Sequence, residues 1–280
     1  MAAPTETWPI TFVVDGARQE LPDAVVVEDP LEILVAIDDA AASTGAPPAP
    51  LAVTLRTPGH DRELVAGLLY AEGIVDGAAD IASLDEAAPG EAAGSRVVAR
   101  LTARRTSTTT PARPFLSTAA CGVCGKASVD AVFAGGFPPL PAGPRVPLSL
   151  LLELPGRMAP AQQLFASTGG LHAAALFDAR GELLLLREDV GRHNAVDKLV
   201  GALLLAGQLP AGERLLAVSG RIGFEIVQKA LRAGIPLLVA VGAPSTLALR
   251  LAARAGMTVA GFVRPGRCNL YCGAERVLLE

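Results

Sequence analysis

Lysine is scarce in this 280-residue sequence: Lys126, Lys198 and Lys229 stand against 21 arginines. Aromatic rings are scarce too, with one Trp, two Tyr and eight Phe, and the formal net charge is −4. An acidic chain with few rings lacks both the basic field and the stacking platforms of a general nucleic-acid binder. Local basic sites for a small anion remain open to it. No apolar run approaches the roughly 20 residues of a membrane span. The segment Met1 to Ile10 has no basic stretch followed by an apolar one, so neither a membrane anchor nor a secretory signal is expected. The expected compartment is the cytoplasm, where the four cysteines would not form structural disulfides.

Glycine and proline are plentiful, 29 and 22 residues, nearly a fifth of the chain against a usual share of about 12%. Many tight turns follow. Hydrophobic residues make up 51% and charged ones 19%, which excludes a disordered chain, and the length suggests two domains. Residues 1–112 read as a β-rich N-terminal domain. Strands are expected at Ile10–Val14, Ala24–Glu28, Leu31–Ile37, Leu51–Thr57 and Arg96–Thr102. One helix is expected with Asp61 as its cap, Leu64, Leu68 and Leu69 on one face and Gly73 as its stop. Asp85 to Gly94 reads as a loop, and the Ser/Thr run with two prolines from Arg104 to Pro114 as the boundary.

Residues 113–280 are more regular. Short helices are expected at Leu148–Leu154 and Ala159–Ala166, then a hairpin of His172–Phe177 and Glu182–Leu186 about a turn at Asp178–Gly181. Helices Asn194–Ala206, Phe224–Ala233 and Ser245–Ala255 then alternate with strands Arg214–Val218, Leu237–Val241 and Thr258–Val263, the last strand expected. Strand–helix–strand repeats of this length demand right-handed crossovers and a parallel sheet. The fold class is therefore α/β, a three-layer α/β/α domain with the hairpin as an antiparallel edge.

In such a sheet ligands sit beyond the carboxyl ends of the strands. Three ends are legible: Ser219-Gly220-Arg221, Gly242-Ala243-Pro244-Ser245 and Arg264-Pro265-Gly266-Arg267. The first two open helices, whose free N–H groups favour anions, and Arg221, Arg264 and Arg267 supply forked donors suited to phosphate. Any one of these loops is an ordinary turn; three on one edge point to a phosphate-bearing small ligand. The usual nucleotide signatures fail. A P-loop ending at Gly125-Lys126 would need Gly and Ser or Thr where Ala120 and Ala127 stand, and no G-x-G-x-x-G follows an expected strand.

Two further segments stand out. Cys121-Gly122-Val123-Cys124 is a C-x-x-C followed by Gly125-Lys126. A zinc knuckle would pair it with Cys268 and Cys272, whose C-x₃-C spacing is a poor match, and no zinc is expected. A thioredoxin-like motif would lie early in a short βαβ domain. A sulfur carrier needs an accessible thiolate near positive charge. Loop-like Ser117–Cys124 before a helix at Ala127–Phe133 offers that, with a helix N-terminus and Lys126 to lower the thiol pKa from about 8.5. For a bare C-x-x-C, metal and redox uses together outrank sulfur transfer. Cys268 and Cys272 read as small, partly buried thiols. The Arg187–Lys198 run packs acids, arginines, His193 and Asn194 into one turn before a helix. That density invites a functional reading, with His193 as its candidate acid or base. His172 reads as structural, and each lysine as an ordinary helix-surface residue.

Together these segments resemble the FdhD family of formate dehydrogenase accessory sulfur carriers. The resemblance is carried by Thr57-Pro58-Gly59 with the helix to Glu72-Gly73, by Cys121–Lys126 and by Ser167-Thr168-Gly169-Gly170-Leu171-His172. It continues through Arg187–Lys198, Ser219-Gly220-Arg221 with Phe224-Glu225, and Phe262-Val263-Arg264-Pro265-Gly266-Arg267. It covers nearly the whole chain. It implies a cytidine-deaminase-like α/β/α domain beside the β-rich N-terminal one. It also implies a sulfurtransferase that takes a persulfide from a cysteine desulfurase onto Cys121, with Cys124 assisting. The sulfur would pass to the bis-guanine-dinucleotide molybdenum cofactor of formate dehydrogenase, the cargo being held by Phe262, Val263, Arg264, Pro265, Gly266 and Arg267, and GDP would imitate half of it. A homodimer is implied. Deamination itself is excluded: no His has Glu two residues on, and Ala120 replaces the proline of P-C-x-x-C. The alternative is a non-catalytic chaperone that hands over the molybdenum cofactor, which would not require the cysteine pair.

Overall fold

The N-terminal part is assembled from strands that bury one face each. The computed structural model describes residues 3–38, 47–86, 95–102, 115–116 and 140–279. Strands β1 (Thr5–Val14) and β2 (Ala17–Val26) form a two-stranded antiparallel ribbon. Its turn, Asp15-Gly16, has both residues at positive φ, the geometry that suits a twisted hairpin. The ribbon is longer than the expected Ile10–Val14 and Ala24–Glu28 because backbone pairing continues through Pro9 opposite Pro22.

Strands β3 (Asp29–Asp38), β4 (Ala49–Arg56), β5 (Ile81–Glu86), β6 (Ser95–Thr102) and β7 (Phe115–Leu116) form a second sheet in the order β5-β6-β3-β4-β7. Helix α1 (Asp61–Ala71) covers it, packing Leu64, Val65 and Leu69 against Leu31, Ile33, Val97 and Leu101. Two expectations need correction. Asp85 and Glu86, expected in a loop, end the edge strand β5, where Asp85 meets Arg100 at 3.0 Å; charged residues suit an edge. Asp61 is the first helical residue rather than the cap. His60 caps with φ 59°, and Asp61 instead takes the Arg56 fork at 2.9 and 2.7 Å. The boundary expected at 112 lies outside the described residues, and β7 beyond it completes the N-terminal sheet.

The C-terminal part holds a six-stranded sheet in the order β10-β9-β11-β12-β13-β14. Its strands are β9 (His172–Phe177), β10 (Leu183–Asp189), β11 (Leu215–Val218), β12 (Leu237–Ala240), β13 (Thr258–Arg264) and β14 (Arg267–Cys272). A small pair, β8 (Val146–Pro147) with β15 (Val277–Leu278), stands apart. Strands β11, β12 and β13 are parallel, and β9–β10 is the expected antiparallel hairpin. The chain does not end its sheet at β13. Pro265-Gly266 turns it back into β14, antiparallel to β13.

Both faces of this sheet are covered, which is why its central strands are apolar at every position. Leu216, Val218, Leu238 and Ala240 face α4 (Arg192–Leu205), α5 (Phe224–Arg232) and α6 (Thr246–Arg254). Leu215, Ala217, Leu237 and Val239 face Leu151, Leu154 and Met158 of α2 (Leu148–Met158), which runs on through Pro155. A short α3 (Gln163–Thr168) follows a 3-10 turn at Ala159–Ala161, two elements where one helix was expected.

The two parts meet backbone to backbone. Helix α1 crosses α4 where a methyl group on Gly67 would collide with the Asp197 carbonyl, and one on Gly201 with that of Glu63.

Candidate functional site

Parallel pairing brings the chosen strand ends together. Gly242 N–H donates to Gly220 O at 3.2 Å, Ile222 N–H to Ala243 O at 3.0 Å, Ser245 N–H to Ile222 O at 2.9 Å and Phe262 N–H to Gly242 O at 3.1 Å. Ser219, Gly220, Arg221 and Phe262 thus lie on one edge, as expected. The antiparallel hairpin adds a group the sequence reading set aside: Ala173 N–H donates to Ser219 Oγ at 2.8 Å, which seats His172 beside the same strand end. Ser245 is occupied as the cap of α6, accepting from Ala248 N–H at 3.3 Å.

The 262–267 stretch divides its side chains. Phe262 is forced outward by a positive φ of 53° at a bulge and stays exposed, while Val263 is buried under α2. Arg264, Pro265, Gly266 and Arg267 form the exposed tip of the β13–β14 hairpin, with Gly266 at φ 79°. Pro265 and Gly266 lie across an open cleft of about 550 Å³ from Ser149, Glu153 and Arg157 of α2. A second cleft, about 500 Å³, opens on the other side of α2 between α3 and the strand edge, where His172, Ser219 and Gln162 line it.

The 187–198 run does two jobs, and most of it is structural. Buried Asp189 accepts from Gly191 N–H at 2.8 Å, Asn194 Nδ2 at 3.0 Å and Thr57 N–H at 3.2 Å, and pairs with Lys198 at 2.7 Å. Lys198 also donates to Thr57 O at 2.8 Å. Arg187 forks onto Glu63 of α1 at 2.5 and 2.8 Å. Burial opposes ionisation of Glu63, but the hydrogen bonds from Arg187 and His60 win and hold it at about 2. Glu188 accepts from the Leu164 and Phe165 N–H groups at the start of α3. These residues clasp the N-terminal part to the sheet. Lys198 and Lys229 are accordingly not surface lysines: Lys229 is buried against Asp197 at 2.6 Å. Lys126 lies outside the described residues.

Two members of the run face the strand edge instead. Arg192 opens α4, and its buried Nε has no hydrogen-bond partner among the described residues. His193 Nδ1 lies 3.2 Å from Glu225 Oε2. Burial pushes its pKa down to about 4, and Arg192, Lys229 and His172 add to this against Glu225. The neutral ring therefore donates Nδ1–H to Glu225 and presents Nε2 toward Gly223. Burial also lowers His172, helped by Arg192 and Arg221. A methyl on Gly220 would stand 3.3 Å from His172 Nδ1 and 3.7 Å from the Arg192 Cβ, so this glycine lets both close on the strand end.

Cys121 and Cys124 lie outside the described residues. Cys268 and Cys272 on β14 are free, partly buried thiols that pack on opposite faces of the sheet, and burial raises both pKa values. Among the described residues no cluster of three metal-type ligands occurs, and no helix is long and apolar enough to cross a membrane. Of the residues at this edge, the sequence reading set His172 aside as structural and gave Arg192 no role of its own within the 187–198 run.

Comparison with known proteins identifies the family of the chain. The sulfur carrier protein FdhD of Streptomyces coelicolor is 46% identical over 287 residues, spanning 100% of this chain and 98% of that protein. Its namesake in Sulfurisphaera tokodaii is 41% identical, spanning 91% of this chain and 92% of that one. A protein from Desulfotalea psychrophila, described in its crystal structure as a formate dehydrogenase accessory protein, aligns with a TM-score of 0.74 at 26% identity, over 98% of this chain and 99% of that one. The FdhD/NarQ family profile matches residues 27–278, and the chain belongs to the FdhD/NarQ family.

Proposed function

We propose that this chain is a sulfur carrier that serves formate dehydrogenase, and that it works through a persulfide on Cys121. The names of its relatives support the carrier role. The single structural observation behind the cargo site is the convergence of Ser219, Gly220, Arg221, Arg192 and Phe262 on one sheet edge, with Arg264 and Arg267 free of ion pairs among the described residues on the adjoining hairpin tip. Forked guanidinium groups without internal partners suit phosphate.

In this reading a cysteine desulfurase persulfide is attacked by the Cys121 thiolate. The donor S–S bond breaks, one forms at Cys121, and the desulfurase thiolate leaves. The Cys124 thiolate then attacks the inner sulfur of the persulfide. A Cys121–Cys124 disulfide forms, the terminal sulfur departs with the bonding pair, and a proton from water makes it hydrosulfide. The cysteine pair supplies the two electrons. The recipient is the molybdenum cofactor with two guanine dinucleotides, its phosphates on Arg221, Arg264 and Arg267. The same reading includes a cytoplasmic homodimer and a cytidine-deaminase-like order of layers that has lost the deaminase ligands.

The test is the intact mass of the protein after incubation with desulfurase and cysteine. One sulfur, removable by reductant, should add to wild type and not to Cys121→Ala, and the variant should fail to support formate dehydrogenase. Loading and maturation by Cys121→Ala equal to wild type would refute the assignment.

A further inference from the structure

The β1–β2 ribbon stands out from the rest of the molecule. Every residue from Glu6 to Glu20 except Ile10 is exposed. Its root is held where β2 packs on α3 and Val26 lies against Gly170. At about 3.3 Å per residue, the 10-residue strands carry its tip roughly 30 Å from that root. Residues of a strand alternate between faces. Trp8, Ile10, Phe12 and Val14 therefore share one face with Leu21 and Val25, and Trp8, Phe12 and Val14 are 55%, 46% and 53% exposed. A two-stranded hairpin without a further layer is marginal in water, so this face calls for a cover.

The edges of the ribbon are closed to strand addition. Pro9 stands opposite Pro22. Two prolines cannot exchange N–H bonds, so theirs is a non-hydrogen-bonded pair, and each leaves a gap in the donors along an outer edge. Docking is left to the face. The ribbon is also acidic: Glu6, Asp15, Glu20 and Asp23 stand against Arg18 alone, which gives it three of the chain's four net negative charges. None of these carboxylates has an ion pair among the described residues, and Glu6 and Asp23 share the face of Trp8. The complementary surface on this chain is the carboxyl edge of the six-stranded sheet. Arg221, Arg264 and Arg267 are exposed there without carboxylate partners among the described residues, beside exposed Phe262 and Tyr271.

We propose that the ribbon is an arm that docks on a second copy of this chain. Its acidic, aromatic face lies across the basic edge of the other copy's sheet, and the other ribbon returns the contact, so that a two-fold dimer closes. Trp8 and Phe12 meet Phe262, and Glu6 and Asp23 meet Arg264 and Arg267. The ribbon does not cover its own edge, since its carboxylates make no ion pair with those arginines among the described residues. A face about 30 Å by 10 Å, engaged twice, buries on the order of 1,200 Å² in all, the low end for a stable pair. The dimer is therefore weak, and salt loosens it. An anionic cargo and the arm then compete for the same arginines. The assignment rests on the homodimer of the reading above and adds the surfaces that make it.

Analytical ultracentrifugation of the full chain over a range of concentrations tests it. Wild type should show a monomer–dimer equilibrium that high salt shifts toward monomer. Glu6→Lys with Asp23→Lys should raise the dissociation constant roughly tenfold, two exposed ion pairs being at stake, and so should Arg264→Glu with Arg267→Glu. All four changes together should return most of the lost affinity, because the charges are exchanged rather than removed. Every one of these positions is exposed, and an unchanged melting temperature confirms that each variant is folded. The arm is wrong if either reversal keeps the wild-type constant, or if the fourfold variant pairs no better than its two parents; the homodimer then survives through another surface. A wild type that stays monomeric at every concentration overturns the arm and the homodimer together. Persulfide loading of Cys121, read separately by mass, decides the carrier role apart from both.

Discussion

Two populations of basic side chains divide this molecule. Lys198, Lys229, Arg56 and Arg187 each have a carboxylate within 3 Å, in or near the core. Arg192, Arg221, Arg264 and Arg267 have no such partner among the described residues, and all four stand at or beyond the carboxyl edge of one sheet. The first group holds two parts of the chain together. The second is charge that the fold leaves unspent. A cation without an internal carboxylate contributes little to stability and is free to meet an anion, so the two groups should respond in opposite ways to substitution.

The largest effect is expected from the first group. Lys198→Met would leave the buried Asp189 carboxyl short of its closest donor. Breaking a buried pair from one side costs about 3–5 kcal/mol, so urea unfolding should find a loss of that order. A loss below about 1 kcal/mol would mean that Thr57, Gly191 and Asn194 carry the carboxylate alone. From the second group, the double change Arg264→Ala, Arg267→Ala should leave the unfolding midpoint where it was. GDP affinity by calorimetry should fall roughly ten- to a hundredfold, the scale of lost charge-assisted hydrogen bonds at about 1.5–3 kcal/mol. Undiminished binding would put the cargo elsewhere.

His193 belongs to neither group, a neutral ring 3.2 Å from Glu225, and at neutral pH its effect should be the smallest. Its pKa is lowered from the usual 6.5 to about 4, so between those values the unfolded chain binds a proton that the folded chain refuses. Stability from this group is complete above pH 6.5 and is lost as pH falls toward 4. His193→Gln, which can still donate to Glu225, should flatten that part of the stability–pH curve. An unchanged curve would mean that the imidazole is not neutral in the fold.

Much of the sheet was legible because buried parallel strands and their helices are written in long apolar and amphipathic runs. The alternation from His172 to Val263 predicted the parallel strands, the antiparallel hairpin and the shared edge of the strand ends. What escaped was written in small signals. Strand β14 has no fully buried side chain, only half-buried Cys268, Leu270 and Cys272 alternating with exposed residues, so Arg267–Cys272 read as a tail. Strand β5 buries one side chain fully, Leu84, and ends in acids. The 187–198 run looked like a single functional turn because sequence cannot say which side of a turn faces inward. Asp189 and Lys198 turn into the core while Arg192 and His193 turn to the edge.

The crossing of α1 over α4 at Gly67 and Gly201 has a consequence for modularity. Two helices that touch main chain to main chain cannot slide past each other, and neither contact tolerates even a single added carbon. The halves of this chain differ in architecture, yet they are locked as a key is locked in its wards and should melt in one cooperative transition. Exchanging halves between relatives would work only where both helices travel as a matched pair. The unit of inheritance here is the crossing, not the domain.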